Sequence, residues 1–277
     1  MKIQAMFFSP TGTTKKIVTT IKDELSRNAK NHNLEHEIMP DYDFTLVCER
    51  DIAETELNFS SDHIVILGVP VYAGRVPNIL LKFLEKVKAD SALCIPIVLY
   101  GNRNYDDALI ELRDILLHNG FKPIAAGAFI GEHAFSYTLA KNRPDSQDIE
   151  SALNFTKLIS QKLFEDNNSS IVEVRGHFPY RPYYKPLNPE KQPVDIRKVK
   201  PKTKSSCNNC KLCVSVCPMN SIDADDVSKL NGICIKCGAC IKKCPIQAKY
   251  FDDIDFLRHK EELEDEFASR RLPEVFI

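Results

Sequence analysis

The residues with the clearest chemistry in this chain are cysteines. Eight of the ten lie between Cys207 and Cys244. They form two runs with the same spacing, each closed by a proline: Cys207, Cys210, Cys213, Cys217 and Pro218, then Cys234, Cys237, Cys240, Cys244 and Pro245. Closely spaced cysteines in a chain without secretory features indicate metal binding, because structural disulfides belong to oxidising compartments. The internal repeat therefore predicts a pair of metal centres.

The spacing within each run indicates which kind of centre this is. Three cysteines at intervals of three share one tight loop, while the fourth enters a turn and points elsewhere, so two such loops can exchange their fourth cysteines. Structural zinc, the alternative, needs one closed tetrahedral set and has no use for the third close cysteine. We assign one [4Fe-4S] cluster to Cys207, Cys210, Cys213 and Cys244, and the other to Cys217, Cys234, Cys237 and Cys240.

Residues 201–250 resemble the bacterial two-[4Fe-4S] ferredoxins in these two cysteine runs and their prolines. The resemblance implies a small α+β domain. Its few apolar side chains form too small a core to stabilise the fold without metal, so we expect this segment to be unfolded in the apo state.

A second candidate site lies near the amino terminus, in a loop rich in hydroxyl groups. It contains Ser9, Thr11, Gly12, Thr13 and Thr14 between an apolar strand and a helix beginning near Thr13. Backbone amides and short hydroxyls at the start of a helix form an anion site. Neither the Walker A pattern nor the dinucleotide-binding pattern is present. The loop resembles the FMN phosphate loop of flavodoxins; a simple helix cap is the alternative.

The elements around this loop alternate between strands and helices. Strands are predicted at 2–8, 35–39, 63–70, 93–100 and 121–130, and helices from Thr13 and at 76–87, 105–120 and 148–164. This alternation predicts a doubly wound α/β fold with a five-stranded parallel sheet. The flavodoxin-like strand order 2-1-3-4-5 would place FMN beside strands 1 and 3.

The loops that leave strands 3 and 4 supply the remaining candidate FMN residues. They are Pro70, Val71, Tyr72, Ala73, Gly74 and Arg75 in the first loop, and Gly101, Asn102, Arg103, Asn104, Tyr105 and Asp107 in the second. Backbone polar groups and a tyrosine suit an isoalloxazine ring, although ordinary turn chemistry would explain the same residues. The chain has no tryptophan to stack on a flavin, and Tyr72 is the substitute we favour.

The composition of the chain and its proline-rich segment indicate the domain organisation. The net charge of −1 and the 43% hydrophobic content indicate a globular chain without a general attraction to nucleic acid. We expect a flavodoxin-like domain at 1–165, a proline-rich linker at 166–200, a ferredoxin-like domain at 201–250 and a helical tail at 251–277. With no signal peptide and no apolar run of roughly 18 residues, we expect a cytoplasmic protein without a membrane span.

Taken together, the two halves resemble flavodoxin–ferredoxin fusion proteins. The resemblance implies electron transfer between a low-potential one-electron carrier and FMN through two [4Fe-4S] clusters, with ferredoxin-like proteins as partners. We nominate no acid, base or nucleophile, and expect no pyridine nucleotide. Two alternatives stay open, namely an FMN-dependent reductase of a quinone, nitro compound or O2, and a redox sensor or interaction protein. The oligomeric state is open, and a dimer is compatible with the sequence.

Overall fold

A computed structural model describes residues 1–48, 52, 54–166 and 169–277. The central sheet consists of parallel strands that we label β1 (Lys2–Phe7), β2 (Glu37–Ile38), β5 (His63–Pro70), β7 (Leu93–Tyr100) and β9 (Ala126–Ile130). Their spatial order is β2-β1-β5-β7-β9, which is the predicted order 2-1-3-4-5. Short strands flank the sheet: β3 (Tyr42–Asp43) pairs with β1, and β8 (Lys122–Pro123) pairs with β7.

Helices cover both faces of this sheet. Helices α1 (Thr13–Asn31) and α4 (Ser146–Ser160) enclose one apolar core, in which Ile21, Leu25 and Phe155 are almost completely buried. Helix α3 (Ala108–His118) covers the opposite core. Because strands β5 and β7 are buried on both faces, their sequences are nearly continuous apolar runs rather than alternating ones.

The helix predicted at 76–87 is shorter than expected. A 3-10 turn (Asn78–Leu80) leads into α2 (Leu81–Leu84), after which the chain forms β6 (Val87–Ala89). Strand β6 pairs in parallel with β4 (Leu57–Phe59) in a separate two-stranded sheet. The apolar residues from Val76 onward therefore belong to a short helix and then to a strand. Their helical spacing did not indicate where the helix ends.

The carboxyl-terminal part contains the cysteine-rich unit. Strands β10 (Lys202–Thr203) and β11 (Lys249–Tyr250) pair antiparallel, and the two cysteine runs contain the short helices α5 (Leu212–Ser215) and α6 (Ala239–Lys242). Helix α7 (Ile254–Glu266) follows, and β12 (Glu274–Phe276) then returns to the central sheet, antiparallel to β9. Across the described residues, each helix is too short or too polar to traverse a lipid bilayer.

Candidate functional site

A cavity of about 680 Å³ opens where strands β1, β5, β7 and β9 end. The predicted FMN residues that line it are Thr11, Thr13, Thr14, Pro70, Val71, Tyr72, Ala73, Gly74, Gly101, Arg103 and Asn104. The carboxyl edge of a doubly wound sheet is the usual place for a ligand. The fold therefore brings three loops that are distant in sequence to one cavity.

The hydroxyl-rich loop divides its residues between two tasks. The Ser9 hydroxyl accepts a hydrogen bond from the Lys15 amide at 2.9 Å and so caps α1. Gly12 adopts a left-handed conformation with φ 91°, which turns the chain into the helix. The hydroxyls of Thr11 and Thr13 lie 3.5 Å apart at the cavity. The first amides of a helix have no intrahelical acceptor, so this loop combines donors suited to a phosphate group.

Two predicted flavin residues instead hold the linker. Arg75 forms a bidentate ion pair with Glu111, with both nitrogen–oxygen distances 2.7 Å. Its guanidinium lies between the rings of Tyr180 and Tyr183, at 4.8 and 5.0 Å from their centroids. Asp107 accepts hydrogen bonds from the Arg181 guanidinium and from the Arg181 amide. These contacts fasten the linker across the loops after β5 and β7.

Two others hold the carboxyl-terminal segment. The side-chain amide of Asn102 donates to the carbonyls of Phe267 and Ser269, at 2.5 and 2.9 Å. The Tyr105 hydroxyl donates to Glu274, at the start of β12, at 2.8 Å. The loop after β7 thus contacts the tail through Asn102 and Tyr105. Its other residues Gly101, Arg103 and Asn104 line the cavity.

The Asp107 contacts predict a pH-dependent contribution to stability. The Arg181 side chain, which donates hydrogen bonds to Asp107, holds the pKa of this carboxyl well below its usual range. A carboxyl with a lowered native pKa stabilises the fold above its unfolded pKa of about 3.9 and loses that contribution as the pH falls further. We expect Asp107→Asn to lower the free energy of unfolding by about 1–3 kcal/mol at pH 7.

Thermal melting followed by circular dichroism between pH 7 and pH 3.5 measures this effect. The difference between the wild type and Asp107→Asn should begin to narrow below about pH 4, because the carboxyl then binds a proton in the unfolded state, which favours unfolding of the wild type. Asp265→Asn, at an exposed position of α7, is the matched control and should change little. A gap that stays constant with pH would contradict the assigned role of the ionised carboxyl.

The first predicted cysteine set shares one pocket. Cys207, Cys210, Cys213 and Cys244 line it together with Val227 and Ala248. They do not converge tightly on one point: in the described residues, no group of three or more His, Cys, Asp or Glu could hold a single metal ion. Four thiol donors around a shared pocket fit the ligand set of a [4Fe-4S] cluster, and Cys244 comes from the other run.

In the second set, the four cysteines are partly buried and lie near one another. Burial, with the Cys234 and Cys217 thiols nearby, raises the pKa of Cys237 to about 12. Burial likewise raises the pKa of Cys240, next to Cys237, Cys234 and Cys217. Four thiolates so placed would need a compensating positive charge, which iron would supply. The donor set of Cys217, Cys234, Cys237 and Cys240 therefore also fits a cluster.

The two cysteine runs have matching backbone conformations. Asn209 and Lys236, each before a second cysteine, have φ of 53° and 54°. Lys211 and Gly238, each after that cysteine, have φ of 61° and 75°. The Ser221 amide donates to the Cys217 sulfur at 3.4 Å, and the Ala248 amide donates to the Cys244 sulfur at 3.2 Å. The sequence repeat is thus also a structural repeat, including the amide that contacts the fourth cysteine of each run.

Gly238 differs from Lys211 for a physical reason. A Cβ at Gly238 would lie 2.7 Å from the carbonyl oxygen of Ala134, in the loop after β9. The second cysteine run therefore packs so closely against residues 131–136 that a side chain has no room. Lys211 is exposed, and its loop carries a side chain in the same left-handed conformation.

The cavity and the second cysteine set adjoin. Ile235, Lys236 and Cys237 line the same cavity as the hydroxyl-rich loop and Tyr72. Burial, reinforced by the thiols of Cys237 and Cys234, raises the pKa of Tyr72 well above its usual value. In the first set, by contrast, Cys210 is exposed. One cysteine set therefore faces the cavity, and the other reaches the surface.

Sequence reasoning missed that the linker and α7 also form walls of the cavity. Tyr183, Tyr184 and Pro186 line it from the linker, and His259 and Leu263 line it from α7. Tyr184 donates its amide to the Ala73 carbonyl at 2.9 Å, and the Tyr183 hydroxyl donates to the Val76 carbonyl at 2.8 Å. The clustering of tyrosines among prolines was the available signal, since it indicates a stiff segment whose rings pack against neighbouring residues.

Comparison with known proteins agrees with a chain made of two different units. A family model described as a 4Fe-4S dicluster domain matches residues 161–257, which include both cysteine runs. No curated protein matches the chain. The family match and the strand order confirm the predicted combination of a flavodoxin-like fold with a 4Fe-4S dicluster domain, and this combination supports a redox role.

Several solved flavodoxins align with the amino-terminal part. An archaeal flavodoxin is 13% identical, with 59% of this chain and 99% of that chain covered and a TM-score of 0.36. A flavodoxin of Streptococcus pneumoniae TIGR4 is 18% identical over 58% of this chain and 99% of its own, with a TM-score of 0.37. Flavodoxin 2 of Bacillus cereus is 18% identical over 60% and 99%, with a TM-score of 0.37. At these values the fold assignment depends on the strand order rather than on these neighbours.

Proposed function

We propose that this protein transfers electrons between an external low-potential one-electron carrier and FMN, through two [4Fe-4S] clusters. The observation that carries the proposal is that Cys237 lines the same cavity as Thr11, Thr13 and Tyr72. Clusters of this kind exchange single electrons, whereas a flavin takes one or two. Placing both sites in one chain makes their encounter intramolecular and gives it a high effective concentration.

The contacts between the two units support close and fixed placement. The Lys242 ammonium, between two cysteines of the second run, contacts the Glu132 carboxylate and the Ser136 carbonyl. It also lies 4.1 Å from the centroid of the Tyr137 ring. Because Glu132 itself lines the cavity, this ion pair connects the wall of the proposed flavin site to the helix that carries Cys240.

The exposed side of the first cysteine set is the proposed entry point for the external carrier. Cys210 is exposed there, together with Asn208, Asn209 and Lys211. A ferredoxin-like protein could approach this cluster without reaching the flavin cavity. A cytoplasmic location is part of the proposal, supported by eight closely spaced cysteines that need reducing surroundings.

The proposal is tested by anaerobic reduction of the full-length protein with dithionite-reduced ferredoxin. Cluster and flavin absorbance are followed together by stopped-flow spectroscopy, after iron, sulfide and flavin have been quantified. We expect the clusters to bleach first and the flavin to follow. Protein that binds no flavin, or flavin that stays oxidised beside reduced clusters, would overturn the proposal.

Lys242→Met should slow electron transfer from the clusters to the flavin. The substitution keeps the stem length but removes the ion pair with Glu132 and the contact with the Tyr137 ring. We expect a fall of about tenfold, in line with the cost of a loosened reacting geometry, at unchanged cofactor content. Lys243→Met, at the next residue, which is exposed, is the control; equal effects of both substitutions would contradict the assigned role of Lys242.

A second candidate function is the FMN-dependent reduction of a small molecule. The cavity extends beyond the three flavin loops to Lys185, Pro193 and His259, which favours space for a further ligand. Turnover of a quinone or nitro compound by protein supplied with reduced ferredoxin would support this function.

A further inference from the structure

Electrons and protons must reach the proposed flavin by different routes. Cysteine-bound clusters deliver electrons alone, whereas full reduction of an isoalloxazine also binds protons. The linker and α7 cover the cavity on the side away from the sheet. A titratable group in this cover, with one side toward solvent and the other toward the cavity, would supply the protons.

His259 on α7 has this placement. Its side chain is 6% exposed and lines the cavity. Its Nδ1 atom is buried without a hydrogen-bond partner and lies 3.7 Å from the carboxylate of Glu262, whose side chain is 45% exposed. A buried ring nitrogen without a hydrogen-bond partner costs free energy, so its presence calls for an explanation. The ring also packs against Tyr184, with centroids 5.8 Å apart.

Burial, more than the surrounding charges, favours the neutral form of the His259 ring. Burial, together with the positive charges of Arg103 and Arg258, lowers its pKa, and Glu262 acts in the opposite direction. Tyr184 from the linker and His133 from the 131–136 loop are the other titratable groups nearby. A neutral imidazole with an unpartnered Nδ1 can accept a proton there.

His133 is unsuited to the same task. Its Nδ1 accepts a hydrogen bond from the Phe135 amide at 3.1 Å, so the neutral ring carries its proton on Nε2. Burial, with the neighbouring His259 imidazole and the positive charges of Lys242 and Arg103, lowers the pKa of His133 to about 3. His133 therefore offers the cavity a fixed N–H donor, and His259 is the histidine able to exchange protons.

We propose that His259 conducts protons from Glu262 at the surface to the cavity, as an extension of the proposed function. A proton taken from water passes from the Glu262 carboxyl to Nδ1 of His259, and the ring then releases the proton on Nε2 to the cavity. One proton enters and one leaves, so the ring gains no net charge. The electrons come separately from the external carrier through the cysteine sets.

The experiment uses the full-length, cofactor-loaded protein under anaerobic conditions in weakly buffered solution with a pH-indicator dye. Stopped-flow mixing with reduced ferredoxin follows cluster bleaching, flavin bleaching and proton uptake in parallel. The variants are His259→Phe, which keeps an aromatic ring beside Tyr184, and Glu262→Gln. His118→Phe, at the exposed end of α3, is the control.

We expect His259→Phe to slow proton uptake and full flavin reduction by about 100-fold, while cluster bleaching keeps the wild-type rate. Added imidazole should restore proton uptake, and Glu262→Gln should show a smaller defect. Proton uptake in His259→Phe within twofold of the wild type would overturn the proposal, as would slowing that imidazole does not relieve and that shows no solvent isotope effect. A wild-type protein whose clusters never reduce the flavin would instead refute the proposed function.

Discussion

Cys217→Ala is expected to remove the cluster that adjoins the flavin cavity, although Cys217 belongs to the first cysteine run. Its thiol lies near those of Cys234 and Cys237, and in the proposed crossed ligation it is the fourth ligand of their set. The variant should keep about half of the iron and sulfide, and reduced ferredoxin should no longer reduce its flavin. Iron quantitation, electron paramagnetic resonance and flavin bleaching measure this outcome.

Cys244→Ala is the complementary variant. Cys244 shares a pocket with Cys207, Cys210 and Cys213, so its loss should remove the cluster nearer the surface. If each run instead closed its own set, Cys217→Ala would spare the cluster beside the cavity and flavin reduction would continue. Cys48→Ala is the control, because its sulfur lies 3.6 Å from that of Met219, close to the same site, without belonging to either set.

The strands of the sheet were predictable because each carries its own signal, and their order followed from the resemblance to flavodoxins. The buried strands β5 and β7 are continuous apolar runs, and the turns between elements are rich in polar residues. Strand β12 escaped prediction because its three residues, Glu274–Phe276, have no pattern of their own. They become a strand by pairing with the edge of β9, and pairing at such a distance in sequence is a tertiary effect.

The candidate site residues likewise include some whose role local sequence predicts and some whose role depends on distant parts of the chain. The cysteine spacing is local, so the sequence alone predicts two ligand sets, and in the structure members of each predicted set lie near one another. Arg75, Asn102, Tyr105 and Asp107 lie on the expected loops, but the polar groups that bind them come from the linker and the tail. The Asn102 bond to Ser269 spans 167 positions. A single sequence does not show which of two polar partners, flavin or distant backbone, a loop residue will meet.

Arg143→Leu should strongly lower the free energy of unfolding. Arg143 forms a bidentate ion pair with Asp148, and the two side chains are 4% and 0% exposed. Removing the cation leaves the buried Asp148 carboxylate with only the more distant guanidinium of Arg270, at 3.5 Å, which costs up to about 3–5 kcal/mol. Asn102, which accepts from Arg143 and from the Arg271 amide, also loses a partner. The tail that fastens α7 beside the cavity should therefore loosen together with the fold.

Urea unfolding followed by circular dichroism measures the loss, and limited trypsin digestion measures the loosening. In the wild type, Arg270 is held by two hydrogen bonds to Asp145, at 2.6 and 2.9 Å, so cleavage after this residue should be slow; in Arg143→Leu it should become fast. Arg175→Leu removes an arginine that is 80% exposed from its pair with Glu274 and should cost less than about 1 kcal/mol. Similar losses in the two variants would mean that the Arg143–Asp148 pair is not what anchors the tail, because a buried pair and an exposed pair cannot cost the same for electrostatic reasons.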